Sequence, residues 1–469
     1  MSQASQTAVN EPPTTTTFTE TIKLRLRTPA RFRNLELALL VLACGIVAGA
    51  VALVQLGALD ALDPQVLSLA GGLGLLVLIF HIVLRITAPN ADPFLLPIAT
   101  VLNGLGIAMI YRLDLARNDQ GWGAASVRQM VWTALAITVA VLVVAFLRNH
   151  RVLARYRFIA MFVAIALLLL PMLPGIGREV NGARVWIGLG PFSFQPGEIA
   201  KIALAVFFAG YLVSARDSLA LVGKKFLFLQ FPRVRDLGPI IVIWLVAMVV
   251  LVFQRDLGTS LLYFGLFLCM IYVATGRESW VILGVGLFVV GGLVASQTLS
   301  YVEGRFNAWL DPFRPEFYEQ QGGSYQLVQG LFGMAHGGLI GTGLGEGRPN
   351  LVPLAESDYI VASLGEELGL AGLFAILALY LLFVSRGFRI GFAGGDDFGK
   401  LLGVGLAFVV AFQIFIVIGG VTRVIPLTGL TTPFLAAGGS SLVANWIIVA
   451  LLLRLSDTIR SGPKLVVGP

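Results

Sequence analysis

The sequence predicts an all-α, polytopic membrane protein of about twelve transmembrane helices with a large folded outer loop, and three observations carry that expectation. Of 469 residues, 57% are hydrophobic and 13% are charged, where a soluble domain has roughly 25% charged. Mean hydropathy is +0.86. Apolar runs of the ~20 residues that a bilayer span needs recur along the whole chain. They fall at 37–58, 66–86, 93–111, 129–147, 157–174, 198–215, 238–253, 258–275, 281–298, 359–385, 401–421 and 434–453.

In chain order, residues 1–34 read as a disordered cytoplasmic tail. The stretch 1–22 is polar, rich in Thr and Pro, and lacks the apolar core and small-residue cleavage site of a signal peptide. Residues 35–88 hold two spans, 89–456 the remaining ten, and 457–469 a cytoplasmic C-terminal tail. Basic residues gather in alternate connections, as with Lys23, Arg25, Arg27, Arg31 and Arg33 before the first span and Arg148, Arg151, Arg155 and Arg157 after the fourth. Cytoplasmic loops collect Lys and Arg, so both termini are expected inside. The same rule accounts for the net charge of +7 without nucleic acid as a partner.

Two outer segments are not lipid-like. Residues 175–197 mix Gly and Pro with Val185, Trp186, Ile187 and Phe192, which suits an interfacial or re-entrant turn. Residues 299–358 carry Tyr301, Phe306, Trp309, Phe313, Phe317, Tyr318 and Tyr325, enough apolar area to fold over the mouth of the bundle. Within them the run Gly337–Gly347 lacks the Lys-Ser/Thr ending of a phosphate-binding loop and reads as tight turns. Cys44 and Cys269 lie far apart inside spans, which excludes a disulfide framework or thiolate cluster.

Ionisable groups within spans are costly and face protein or a wet cavity. Pro196 suits a first helical turn, which places Glu198 and Lys201 i, i+3 on one face. They form either a self-neutralising pair or a cavity pair whose ammonium meets a phosphate. Asp256 caps a helix starting near Leu257 or serves in the same cavity. Glu366 and Glu367 sit two turns into the tenth span, about 100° apart, so at least one lines the interior. Arg184 and Arg423 add cations at that level. An outward cavity of carboxylates and fixed cations suits a lipid diphosphate sugar, whose phosphates bind Arg and Lys and whose acceptor hydroxyl loses its proton to a carboxylate. A proton-coupled transporter would need buried carboxylates too.

Six strings occur in order: ARVWIGLGPFSFQPGEIAK (183–201), QRDLGTSLL (254–262), WLDPF (309–313), SYQLVQGLFGMAHGGLIGTGLGEG (324–347), SDYIVASLGEELGLAG (357–372) and IPLTGLTTPFLAAGGSSL (425–442). Together they resemble the successive signatures of the SEDS family, which comprises RodA and FtsW. The likeness runs from the third span to the C-terminus. The two preceding spans are additional to a ten-span core, as in the actinobacterial RodA type. The resemblance implies a glycosyltransferase that polymerises lipid II, the undecaprenyl-diphosphate-linked disaccharide pentapeptide, into β-1,4 glycan outside the plasma membrane, for cell elongation and shape. It implies that Asp311 is the essential acid of the outer loop, Glu198 and Lys201 the buried pair, Asp256 the acid after the seventh span, and Arg184 the base before the outer-turn Trp. It further implies a class B penicillin-binding protein as partner and, loosely, a divalent cation, Mg or Mn. A lipid II flippase and a non-catalytic scaffold for a transpeptidase are the alternative readings.

Overall fold

The computed structural model describes residues 30–461 apart from 120, 181, 190–191, 220–221, 227–228, 233–241, 243–244, 247–248 and 320–322. Most of the expected N-terminal and C-terminal tails and half of the expected seventh span, 238–253, therefore lie outside the described residues. Among the described residues, ten helices are long and apolar enough to cross a membrane: α1 (Ala30–Leu59), α2 (Pro64–Thr87), α3 (Leu95–Arg117), α4 (Ala125–Phe146), α7 (Pro196–Leu219), α8 (Leu257–Thr275), α9 (Glu278–Thr298), α13 (Ile360–Phe392), α14 (Asp397–Val421) and α15 (Gly439–Ser461). Short α5 (Arg151–Arg155) and α6 (Arg157–Leu169) precede α7. The starts follow from local chemistry. Asp63 accepts from Gln65 N at 2.8 Å ahead of Pro64, and Asp396 accepts from Gly399 N at 3.0 Å ahead of α14, each supplying a partner for an otherwise unpaired N–H.

Three expected spans differ in extent. The fifth ends early, as α6 passes into a 3-10 turn, Leu170–Met172, because Pro171 lacks the N–H that the next helical turn requires. The twelfth begins at Gly439, since Pro426, Gly429 and Pro433 keep the preceding segment irregular. Protein groups satisfy that segment's backbone: Gln413 Nε2 donates to Thr431 O at 2.8 Å, Gln129 Nε2 to Ala436 O at 3.0 Å, and the Tyr380 hydroxyl to Pro433 O. The tenth is broken inside α13 at Gly369, with φ 66° and ψ −173°. There the glycine-rich loop replaces the missing helical partners. Leu370 N and Ala371 N donate to Gly338 O and Leu339 O at 2.9 and 3.0 Å, while Thr342 N and Gly343 N donate to Glu366 O and Glu367 O at 3.0 Å each. A Cβ at Gly369 would lie 2.3 Å from Gly341 N. Gly369→Ala is therefore expected to destabilise the protein by more than the ~1 kcal/mol that left-handed backbone alone costs. A thermal transition unchanged from the parent would count against this close approach.

The segment 175–197 is a small antiparallel sheet of β1 (Gly177–Val180), β2 (Ala183–Leu189) and β3 (Phe192–Phe194), with Gly177 opposite Ile187 and Ile187 opposite Phe194. A hairpin pairs its own backbone, which a re-entrant turn would not. A second hairpin, β4 (Val222–Phe226) with β5 (Leu229–Pro232), follows α7. The long segment 299–358 is folded, as expected: α10 (Ser300–Leu310), α11 (Pro315–Tyr318) and α12 (Tyr325–Gly337) lead to the glycine-rich turns.

Helices α3, α14 and α15 bury most of their surface, whereas α1 and α2 bury little. The N-terminal pair packs on the core, α1 against α3 and α2 against α4. Near the start of α1, Glu36 joins Arg33 and His81, both at 2.7 Å.

Candidate functional site

Because Pro196 opens α7, Glu198 and Lys201 come to one face, and Lys201 Nζ lies 2.5 Å from Glu198 Oε2. Both are buried, Lys201 to 1% exposure. The same ammonium donates to Gln413 Oε1 at 3.0 Å. Among the described residues two of its three protons are thus placed, and the third has no partner there. Gln413 is the only strongly polar side chain in the apolar middle of α14, the one signal in the sequence that marked this face.

Asp256 caps α8, accepting from Thr259 N at 2.9 Å and from Thr259 Oγ1 at 2.6 Å. Burial pushes its carboxyl up, the Thr259 bonds and the Arg305 charge pull it down, and Glu198 pushes it up again. Asp256 therefore shares the electrostatic neighbourhood of the buried pair. Tyr263 ties the two helices, its hydroxyl donating to Gly197 O at 2.8 Å. Arg305 reaches this region from α10 and donates to Leu427 O at 3.2 Å. Half-buried Asp358 lies within the same field. Its carboxyl is pushed up to about 6, first by burial, against the pull of Arg305.

A carboxyl whose folded pKa is raised favours the folded state most at pH values below its unfolded pKa. Its contribution disappears as pH rises through the folded value. The thermal transition is accordingly expected to fall as pH is raised from about 4 to about 6, and Asp358→Asn is expected to flatten that slope. An identical slope in the variant would show that Asp358 does not titrate there.

The remaining candidates are held elsewhere. Arg423, with φ 60°, donates from Nε to Trp309 O at 2.8 Å and from Nη2 to Leu310 O at 2.9 Å, while Trp309 Nε1 donates to Arg423 O at 3.1 Å. It caps the last carbonyls of α10, a structural use of the cation expected to meet substrate. Asp311 follows directly. Its backbone ends the helix, and its exposed carboxylate has no partner among the described residues. Trp309 anchors this turn through these bonds. Phe313, 60% exposed, reaches Phe332 at 6.3 Å instead of the buried pair.

Glu366 accepts from Arg348 N at 2.9 Å, and Glu367 meets Arg112 Nε and Gly345 N, each at 3.0 Å. Both carboxylates bind the glycine-rich loop to the α13 break, apart from the Lys201 pair. Arg184 is exposed on β2 and pairs with Glu179 at 2.9 Å. The sequence reading therefore gathered into one cavity what the structure divides among four places, and it missed Arg305, Gln413 and Arg112. Among the described residues no three His, Cys, Asp or Glu side chains form a metal-binding group, and a Mg ion held by one or two carboxylates together with substrate phosphates needs none.

The sequence model of the FtsW, RodA and SpoVE cell cycle protein family matches residues 93–461, from just before α3 to the end of α15. Peptidoglycan glycosyltransferase RodA of Mycobacterium tuberculosis is 46% identical over 433 residues, covering 91% of each chain. Stage V sporulation protein E of Bacillus subtilis is 32% identical over 378 residues, 78% of this chain and 97% of that one. The mycobacterial match reaches into the N-terminal helix pair that the family model leaves out. Among solved structures, a chain from a peptidoglycan synthase complex that coordinates polymerisation and crosslinking is similar with a TM-score of 0.62 at 28% identity, over 79% of this chain and 99% of its own. An alanine variant of the rod-shape-determining protein RodA of Thermus thermophilus gives a TM-score of 0.55 at 26% identity, with the same coverage of 79% and 99%. By the family match over most of its length, and by its helical membrane architecture, this chain belongs to the FtsW/RodA/SpoVE family.

Proposed function

We propose that this chain is a peptidoglycan glycosyltransferase that polymerises lipid II into β-1,4 glycan on the outer face of the plasma membrane, for cell elongation and shape. The observation that carries this reading is the buried Glu198–Lys201–Gln413 group beside Asp256 and Arg305. Arg305 comes from the helix that ends at Asp311. A lipid diphosphate sugar lies with its tail in the bilayer and its phosphates at the interface. The free proton of Lys201 and the guanidinium of Arg305 supply charge-assisted donors for a diphosphate. Asp256 and Glu198 hold those cations in place.

The reaction is a single displacement. The acceptor's sugar hydroxyl forms a bond to the donor's anomeric carbon on the face opposite the diphosphate. The carbon–oxygen bond to the diphosphate breaks, and its electron pair leaves with the phosphate. Configuration inverts from the α-linked donor to the β-linked product, and the hydroxyl proton passes to Asp311, a carboxylate without a competing partner among the described residues. Arg423 acts as a positioning residue, fixing the carbonyls of Trp309 and Leu310 next to Asp311. Glu366 anchors the glycine-rich loop. Arg184 stays outside the reaction, since it is exposed and already paired.

Basic residues before α1 and after α4 support cytoplasmic termini, which puts the α10–α12 segment outside. The likeness to a chain of a peptidoglycan synthase complex supports a class B penicillin-binding protein as partner. Purified protein supplied with lipid II is expected to yield glycan chains. A flippase or scaffold would yield none.

A further inference from the structure

Helices α1 and α2 leave a space where they meet the core. Between α1, α2, α3, α4 and Trp446 of α15 lies a cavity of about 370 Å³, well beyond the voids that close packing leaves and within the ~300–1,000 Å³ range of ligand sites. Small residues create it. Ala70, Gly71 and Gly74 line it from α2. Glycines in spanning helices usually let two backbones approach closely, but here a Cβ at Gly71 would meet nothing within 4 Å, and one at Gly74 would meet only Cys44 Sγ at 3.8 Å. These glycines therefore leave room rather than fill it.

The polar groups on the cavity wall are already engaged. Thr100 donates to Leu96 O at 2.9 Å, Asn103 donates to Thr133 at 3.2 Å and accepts from Trp446 Nε1 at 2.9 Å, and Tyr111 meets Gln55 at 3.4 Å. None of them is an orphan buried atom. Polar atoms already engaged offer little to ordered water, and most of the rest of the wall is hydrocarbon, with Val47, Val77, Ile107 and Ile137. Gly71 is exposed, so the space opens sideways from helices that span the membrane, at a depth where the surrounding medium is lipid chains.

We propose that this cavity binds one acyl chain of a membrane phospholipid, which wedges the N-terminal helix pair against the core. An acyl chain needs no polar recognition at this depth, and as the bilayer's own solvent it is present far above any other apolar ligand. The lining shares no residue with the Lys201 group, so the inference stands apart from the glycosyltransferase reading.

The test uses full-length protein in nanodiscs containing phosphatidylglycerol with a diazirine near the end of one acyl chain. On irradiation, labelled peptides are expected from 44–51 and 70–77. Labelling is expected to fall several-fold, to background, in Gly71→Leu/Gly74→Leu, whose new side chains fill the space. Gly49→Leu adds one such side chain to α1 outside the lining and is expected to label like the parent. Should the double variant fail to show the parent's thermal transition, Ala70→Phe fills the cavity with a single change. Undiminished labelling in a folded filled variant overturns the proposal. So does stronger labelling at these peptides by a diazirine-bearing polyprenyl phosphate, which would make the occupant an isoprenoid chain.

Discussion

Asp311→Asn is expected to reduce glycan formation from lipid II by about 10²- to 10⁴-fold, the usual loss when a general base is removed. The substitution keeps size and shape while removing the proton acceptor. Asp311 is exposed and makes no side-chain bond among the described residues, and the adjoining turn is held by backbone carbonyls bonded to Arg423. Expression, membrane insertion and thermal stability should therefore match the parent, so that lost activity reports chemistry rather than unfolding. A folded Asp311→Asn protein that forms glycan at the parental rate would remove the base from this mechanism. Polymerisation by the parent in the same assay separates that failure from a failure of the whole functional reading.

The second large effect belongs to Lys201. Lys201→Ala deprives Glu198 of its partner at 2.5 Å in a site where both side chains are buried. Removing one member of a buried pair costs about 3–5 kcal/mol, because the other is left as an uncompensated charge. Thermal stability should drop sharply, and polymerisation should be lost with it. The double variant Glu198→Gln/Lys201→Met separates the two losses. With no charge left to strand, it should recover much of the stability, yet remain inactive because no ammonium faces the diphosphate. If the stable double variant polymerises lipid II normally, the pair is structural and the donors lie elsewhere.

How far the sequence was legible varied with the range of the interaction. The Glu198–Lys201 pair was legible because Pro196 sets the helix start and 3.6 residues per turn sets the rest. Asp256 as a cap was legible for the same local reason. Arg423 was read as a substrate cation since a sequence displays charge but not the carbonyls, 114 positions away, that take it up. Glu366 and Glu367 looked like cavity acids because nothing short-range announces that α13 breaks at Gly369 and turns both toward a loop. Gln413 was passed over as a neutral residue in an apolar run, although an amide buried mid-span demands a partner. Arg305 lay in a segment rich in charge, where one more cation carries no signal. Most spans among the described residues were readable from their apolar runs, the break at Gly369 being an exception without proline. Where Pro171 or Pro433 intervened, helix limits shifted.

The break in α13 has a kinetic side. While the chain is entering the bilayer, the glycine-rich loop is not yet in place, and an interrupted helix would expose N–H and C=O groups to hydrocarbon at several kcal/mol each. The residues around Gly369 are then best satisfied by an unbroken helix. The kinked form becomes favourable only when Gly338 and Leu339 offer their carbonyls and Thr342 and Gly343 their amides. Bending of α13 and docking of the loop are thus one cooperative step, late in assembly and conditional on α12 having reached its seat. Docking of the glycine-rich loop is in this way tied to a hydrogen-bond exchange inside a single spanning helix.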